Sequence, residues 1–205
     1  LSRGLADAVE CTDGCEIHTR VNVTNLVPTD DGWLVEGEGG ERFEGARAVV
    51  AAPPAAASQL LADVNDELAG ELAQIPMAPV AVVHLGFDQR VDAVPDGFGF
   101  LAPRGHGTRS LGVLFPSRLF ADRSKGDLLT AFFGGVLDRE ALELSDDALV
   151  DHARDDLRRL FGLETAPAFT DVRRYPHAIP QLVLGHLERR QRIDRRIERL
   201  DGLVL

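Results

Sequence analysis

The feature of this sequence that most suggests ligand binding is a set of three short apolar segments, each of which contains or borders glycine. They occupy residues 97–103, 110–115 and 128–135, and polar turns separate them. Glycine within a strand often marks a bulge or a place where a ligand comes close to the backbone. Because glycine alternates here with Phe and Leu, the segments predict a sheet that offers both bulk and room to a flat apolar ligand.

Motifs for metal, phosphate or nucleophilic chemistry are scarce by comparison. The six histidines show no metal-ligand spacing with one another or with Cys11 and Cys15. No glycine-rich phosphate or dinucleotide motif follows a strand, and Ser110 and Ser117 lack a Gly-x-Ser-x-Gly setting. His84 alternates with apolar neighbours, which favours a strand residue with one hydrogen bond over a ligand. The sequence therefore predicts no metal site, and the catalytic residues stay unassigned.

Composition narrows the class of protein. A net charge of −11 opposes nucleic acid as a partner, because phosphate binding needs a basic surface. The apolar fraction of 44% and the charged fraction of 27% are typical of a soluble globular protein. We expect no export signal and no membrane span, so Cys11 and Cys15 are better explained as two reduced thiols than as a disulfide. A cytoplasmic location follows as an expectation.

The first 53 residues are predicted to be rich in strands. Alternating apolar residues at 16–27, a turn signal at 30–32 and small or β-branched residues at 46–52 support that assignment. The chain opens inside a predicted helix and stops at a predicted strand, residues 203–205. We therefore expect it to be a piece of a longer protein.

Helices are predicted at 55–61, 66–74, 145–161 and 185–200, with the glycine-bearing strands between the second and third. Asn65 and Ser145 are suitable N-caps, and Gly162 is a natural stop for the third helix. Arginines in the last helix alternate with acidic residues at helical spacing, as in the pair Glu188 and Arg192. This pattern favours a solvated face with intrahelical ion pairs over an anionic-ligand or membrane-surface role.

Five segments, in order, resemble the protoporphyrinogen/coproporphyrinogen oxidase family, a branch of the flavin amine oxidases. Each motif is weak alone, but the order is specific and covers nearly the whole chain. Leu182 departs from the family, which commonly has an aromatic residue after Pro180-Gln181. The segments are Thr19-Arg20-Val21 through Val50-Ala51-Ala52-Pro53-Pro54, Val80-Ala81-Val82-Val83-His84-Leu85-Gly86-Phe87, Gly97-Phe98-Gly99-Phe100-Leu101-Ala102-Pro103, Leu111-Gly112-Val113-Leu114-Phe115, and Tyr175-Pro176-His177-Ala178-Ile179-Pro180-Gln181 with Gly185-His186-Leu187-Glu188.

The resemblance implies FAD as cofactor and a porphyrinogen as substrate. By position, the Val21 backbone would bond the adenine of FAD, and Leu101, Leu114 and Phe132 would line the porphyrinogen pocket. Without the resemblance, these last three residues are better explained as sheet core. In this family the flavin takes hydride in three two-electron steps and O2 usually reoxidises it, and the product serves heme biosynthesis.

The resemblance also implies an α+β fold, with a mixed or antiparallel substrate-domain sheet flanked by helices and strands of an incomplete FAD-binding domain. Residues 1–53 would belong to the FAD-binding domain, 54–184 to the substrate-binding domain, and 185–205 would return to the FAD-binding domain. The dinucleotide-binding glycine motif and the C-terminal flavin segment would lie outside the chain. The chain alone is therefore expected to hold FAD weakly and to be inactive.

Two other functions are left open by the sequence. One is a related flavin amine oxidase or desaturase, and the other is a non-catalytic module that binds a porphyrin or another hydrophobic ligand. The choice between protoporphyrinogen IX and coproporphyrinogen III also stays open. So do peripheral attachment to the cytoplasmic face of a membrane and a homodimer of the parent protein.

Overall fold

The computed structural model describes residues 2–103, 105–120 and 122–205. Along the chain the elements are α1 (Ser2–Glu10), β1 (Val23–Thr29), β2 (Gly32–Gly37), β3 (Arg42–Gly45), β4 (Ala48–Val49), α2 (Pro54–Leu61), α3 (Asp66–Ala73), β5 (Met77–Gly86), β6 (Gly99–Leu101), β7 (Gly112–Leu114), α4 (Pro116–Leu119), β8 (Leu128–Gly134), the 3-10 helix Arg139–Glu143, α5 (Asp146–Phe161), β9 (Phe169–Pro180), α6 (His186–Ile197) and β10 (Leu203–Val204). No helix in this described part of the chain is both long and apolar enough to cross a membrane.

The chain divides into two compact units. The first comprises the chain up to Ile75 together with Leu182–Leu205, and the second is Pro76–Gln181. Helices α2 and α3 thus fall in the first unit, whereas residues 54–75 are expected from the resemblance to lie in the substrate-binding domain. The physical reason is their packing, because their apolar faces share a core with the strands of the first unit.

The first unit combines two small sheets with three helices around one apolar core. Strands β1, β2 and β3 form an antiparallel sheet, and β4 pairs with β10 in parallel. The Trp33 indole N–H donates to the Asp201 carbonyl over 2.9 Å, which ties β2 to the turn before β10. The buried side chains of this core are Leu26, Trp33, Ala57, Leu61, Leu68, Leu72, Ile193 and Leu203.

Helix α3 begins as the sequence predicts and then forms ion pairs with α6. The Asn65 side chain accepts a hydrogen bond from the Leu68 N–H, and two acidic residues occupy the first turn. Arg192 of α6 donates from Nε and Nη2 to the two carboxylate oxygens of Glu71, over 2.5 and 2.9 Å. Arg192 therefore pairs with α3 instead of forming the predicted pair with Glu188. The reason is that Arg192 lies on the half-buried side of α6, where Glu71 is in reach.

The second unit is an antiparallel sheet with the strand order β6-β7-β8-β5-β9. Helix α5 packs on one face and contributes Leu149, Ala153 and Leu157 to the buried core. The Ser145 hydroxyl accepts from the Ala148 N–H over 3.2 Å, and Gly162 ends the helix with φ of 69°. The helix predicted between these two residues is therefore confirmed.

A buried ion pair holds the connections around β8 in place. The side chains of Arg118 and Asp127 are 3% and 4% exposed, and their closest atoms are 2.6 Å apart. The Asp127 carboxylate also accepts from the Val91 N–H over 2.7 Å and from the Ser117 hydroxyl over 3.0 Å. In turn, the Leu128 N–H donates to the Ser117 oxygen. One carboxylate thus links the loop after β5, helix α4 and the first residue of β8.

We predict that Asp127→Asn lowers the free energy of unfolding by about 3 kcal/mol, because it removes the buried carboxylate that pairs with Arg118 and leaves only the exposed Asp96 as its partner. Chemical denaturation followed by circular dichroism measures this change. Asp155→Asn is the matched control, since Asp155 pairs with Arg158 on the exposed side of α5. The control is expected to cost less than about 1 kcal/mol. Equal losses in the two variants would contradict the role given to the buried pair.

A second prediction concerns the dependence of stability on pH. The hydrogen bond from Arg192 lowers the pKa of Glu71 below its ordinary value of 4.5. Because the folded-state pKa is depressed, the stabilisation is full above the ordinary value and is lost as pH falls through the folded-state pKa. Glu71→Gln should therefore flatten the fall in unfolding free energy between about pH 5 and pH 3. Denaturation curves at a series of pH values test this, and an unchanged slope would contradict it.

Candidate functional site

Side chains alternate between the two faces of the second unit's sheet, and the alternation separates a core face from a second face. Val83, Val113, Ala131 and Phe133 point toward α5 and are buried. We call the face of the sheet that points away from α5 the open face. Its side chains are Val82 and His84 of β5, Leu101 of β6, Leu114 of β7, Leu128, Thr130 and Phe132 of β8, and Asp171, Arg173 and Tyr175 of β9.

The structure places Leu101, Leu114 and Phe132 together on the open face. Leu101 pairs with Gly112, and Gly112 pairs with Phe132, so the three lie in one cross-strand row. Leu114 lies in the next row, opposite Thr130. Leu101 is 85% exposed, and Leu114 and Phe132 are half-buried. These positions differ from the sheet-core interpretation that holds without the family resemblance.

The glycines of β6 and β7 have a structural reason to be there. Gly99 has φ of +139°, and a Cβ at this position would overlap the Val113 carbonyl oxygen of the neighbouring strand. A Cβ on Gly112 would overlap the Phe100 carbonyl oxygen. These glycines therefore allow β6 and β7 to approach each other closely. They are explained by this strand contact and not by a contact between a ligand and the backbone. Gly112 has a second effect, because it leaves a low point between Leu101 and Phe132 in their row.

Polar groups lie on the open face beside the apolar ones. His84 Nδ1 is 3.0 Å from the Thr130 hydroxyl, which confirms His84 as a strand residue with one hydrogen bond. Arg173 donates from Nε to Asp171 over 2.8 Å. Thr130, Asp171 and Arg173 are not among the site residues predicted from the sequence. Residues 169–175 are recognisable as a strand, whose side chains point alternately to two faces. Which face holds Asp171 and Arg173 follows only from the register of β9 with β5.

Val21, the predicted adenine contact, lies in the first unit just before β1. It is half-buried, and Arg20 before it has φ of 63°, which is unusual for a residue with a side chain. Among the described residues, neither the N–H nor the C=O of Val21 takes part in a hydrogen bond. The N–H and the C=O of one residue offer a donor and an acceptor to a ligand. The contact between Val21 and the adenine of FAD stays a prediction.

The first unit also contains a cavity beside β2, β3 and β4. Its volume is about 490 Å³, and its walls include Trp33, Phe43 and the exposed strand residue Val49. A smaller cavity of about 270 Å³ lies in the second unit, where Leu101 and Phe161 form part of the wall. In residues 2–103, 105–120 and 122–205 no cluster of His, Cys, Asp or Glu could hold a metal ion.

Comparison with known proteins identifies the family of this chain. The profile described as flavin containing amine oxidoreductase matches residues 1–200. The chain belongs to this family. The resemblance found in the sequence is thereby confirmed, as are FAD as the cofactor and the α+β fold class.

Among its relatives are two porphyrinogen oxidases. The chloroplastic protoporphyrinogen oxidase of Nicotiana tabacum is 29% identical over 201 residues, which are 91% of this chain and 37% of the relative. The coproporphyrinogen III oxidase of Mycobacterium tuberculosis is 30% identical over 178 residues, 86% of this chain and 39% of the relative. The chain thus spans less than half the length of the curated relatives it matches.

A solved structure shows the same fold. The crystal structure of an Exiguobacterium sp. 255-15 protein assigned as a protoporphyrinogen oxidase superposes with a TM-score of 0.80 and 21% sequence identity. The match covers 100% of this chain and 45% of that protein. A putrescine oxidase variant follows with a TM-score of 0.65 and 19% identity over 83% of this chain. At these identities the likeness concerns the fold.

The two faces of β8 give a direct test of the site's geometry. We predict that Phe133→Ala, on the core face, lowers the free energy of unfolding by about 3–5 kcal/mol. Phe132→Ala, one residue earlier and half-buried, should cost clearly less, and Leu101→Ala should stay within about 0.5 kcal/mol. Chemical denaturation of the three variants measures these values. A Phe132→Ala loss as large as that of Phe133→Ala would place Phe132 in the core instead.

Proposed function

We propose that this chain carries the substrate wall of an FAD-dependent oxidase, which converts a porphyrinogen to the porphyrin with O2 as electron acceptor in heme biosynthesis. The observation that supports this proposal most is the placement of Leu101, Leu114 and Phe132 on one face of the sheet, opposite the face that packs on α5. Both relatives named above are porphyrinogen oxidases, so either protoporphyrinogen IX or coproporphyrinogen III is a candidate substrate.

The chemistry of the substrate suits this wall. A tetrapyrrole is a broad and largely apolar macrocycle, so its site needs a wide apolar surface with few polar anchors. The row from Leu101 through Gly112 to Phe132 provides such a surface with a low centre, and Leu114 extends it along the sheet. Contact with the wall would orient one methylene bridge of the macrocycle and keep water from it.

FAD would be held in part by the free backbone groups of Val21, with the adenine as the group in contact. When bound, the flavin supplies the hydride acceptor for the methylene bridge of the substrate. The described residues of this chain contribute position and an apolar surface.

We also propose a cytoplasmic location, with peripheral membrane attachment and a homodimer as further properties to be measured on the whole protein.

We predict that the full-length gene product containing this chain, loaded with FAD, produces porphyrin fluorescence from protoporphyrinogen IX or coproporphyrinogen III. Phe132→Ala should lower kcat/KM by about tenfold, since a large apolar contact with the substrate is lost. Phe120→Ala is the matched control, because Phe120 is 59% exposed and lies outside the sheet. The rate of fluorescence increase, corrected for the uncatalysed reaction, is the measurement.

Two outcomes would contradict the proposal. One is the absence of FAD-dependent oxidation with both porphyrinogens, and the other is an equal effect of the two substitutions. Tight porphyrin binding without turnover would instead favour the non-catalytic module that the sequence leaves open. Turnover of an amine would favour a related amine oxidase.

A further inference from the structure

The open face changes from apolar to polar toward the β9 edge of the sheet. Val82 of β5 pairs with both Phe132 of β8 and Arg173 of β9, so Arg173 continues the row that holds Leu101 and Phe132. One strand, β5, lies between β8 and β9, so Phe132 and Arg173 are two strand spacings apart, a distance of about 10 Å. A wide planar ligand lying on Phe132 therefore brings its rim toward Arg173.

The direction of the Arg173 side chain follows from its neighbours in β9. Val172 packs against the buried core, and Arg174 donates to the carbonyl oxygens of Leu142 and Leu144 on the same side of the sheet. Because alternate residues of a strand point to opposite faces, Arg173 lies on the open face. Its side chain is 63% exposed.

The guanidinium of Arg173 is oriented but only partly used. Its Nε donates to Asp171 Oδ2 over 2.8 Å, and Asp171 is itself only 29% exposed. Among the described residues, Nη1 and Nη2 of Arg173 make no hydrogen bond. These two nitrogens form the end of the planar fork that binds carboxylates through two parallel hydrogen bonds. Asp171 thus orients the group and leaves its outer edge available.

The neighbouring cross-strand row contains a second polar group, His84, which is also held by one hydrogen bond and has a further nitrogen unbonded within the described residues. His84 pairs across the strands with Asp171 and with Thr130. Its Nδ1 lies 3.0 Å from the Thr130 hydroxyl, so the ring orientation is fixed. In the described part of the chain, Nε2 of His84 has no hydrogen-bond partner. The β5–β9 edge therefore presents one cation and one imidazole nitrogen, each held in place by a neighbour.

We propose that Arg173, oriented by Asp171, binds a carboxylate at the rim of the substrate, with His84 beside it. This inference rests on the proposed function, because it assumes that the apolar part of the open face holds a tetrapyrrole. It goes further by assigning a polar anchor and by requiring a substrate with an acidic side chain at its rim. Porphyrinogens with propionate side chains meet that requirement, whereas a purely alkyl-substituted ring does not.

The test compares a carboxylate porphyrin with its ester on the 205-residue chain. Coproporphyrin III and its tetramethyl ester, both delivered from the same nonionic detergent, are titrated into the protein and followed by the Soret band. The wild-type chain is expected to bind the free acid more tightly than the ester. Arg173→Met should weaken binding of the free acid by about tenfold and leave binding of the ester unchanged. Arg173→Lys should restore only part of the loss, since Lys lacks the planar fork.

Arg158→Met is the matched control, because Arg158 also pairs with exposed acidic side chains but lies on α5, away from the open face. Circular dichroism and the melting temperature establish that each variant is folded. Unchanged free-acid binding in a folded Arg173→Met variant would overturn the carboxylate anchor and leave the porphyrin wall intact. An equal loss for acid and ester, or an equal loss in the Arg158→Met control, would overturn it too. Absence of any Soret change with the wild-type chain would contradict both proposals.

Discussion

The packing of α5 on one face of the second unit's sheet is the constraint on which the candidate site depends. Leu149, Ala153 and Leu157 cover the core positions of β5, β7 and β8, and these strands have a side-chain period of two. Once Val83 and Phe133 are buried, their neighbours must lie on the other face. The common face of Leu101, Leu114 and Phe132 is therefore a consequence of core burial, whether or not the proposed substrate lies on it.

The charged residues divide into groups with different roles. Arg118 and Asp127 are buried and position the connections around β8, whereas the pair of Arg192 and Glu71 joins two helices of the first unit. Arg173 forms a third kind of pair, since it is exposed, lies on the open face and has unused donors. Exposed ion pairs contribute little to stability. Folding therefore does not depend on Arg173, and its replacement tests the proposed carboxylate contact without a large loss of stability.

Much of the local structure could be predicted from the sequence, because caps and periodicity are local signals. The helix between Ser145 and Gly162 and the cap at Asn65 follow from residue type and spacing alone. The pairing of Arg192 with Glu71 could not be predicted, since it joins residues far apart in the chain. Cross-strand neighbours are equally hard to predict from the sequence. The row that contains Gly112 and Phe132 depends on a strand register that no single segment encodes. The family resemblance supplied the site residues, and the structure supplied their common face.

The anchoring of Leu128 to Ser117 and Asp127 has a consequence for how this protein can change over time. A gain or loss of one residue inside β8 would move the side chains beyond it to the opposite face, so that Phe133 would leave the core and Phe132 would leave the open face. Changes of length are expected to disturb the sheet less before the anchor, in the exposed segment at Ser124 and Lys125. Homologous sequences should therefore vary in length there, while the spacing from the aspartate to the two phenylalanines stays fixed.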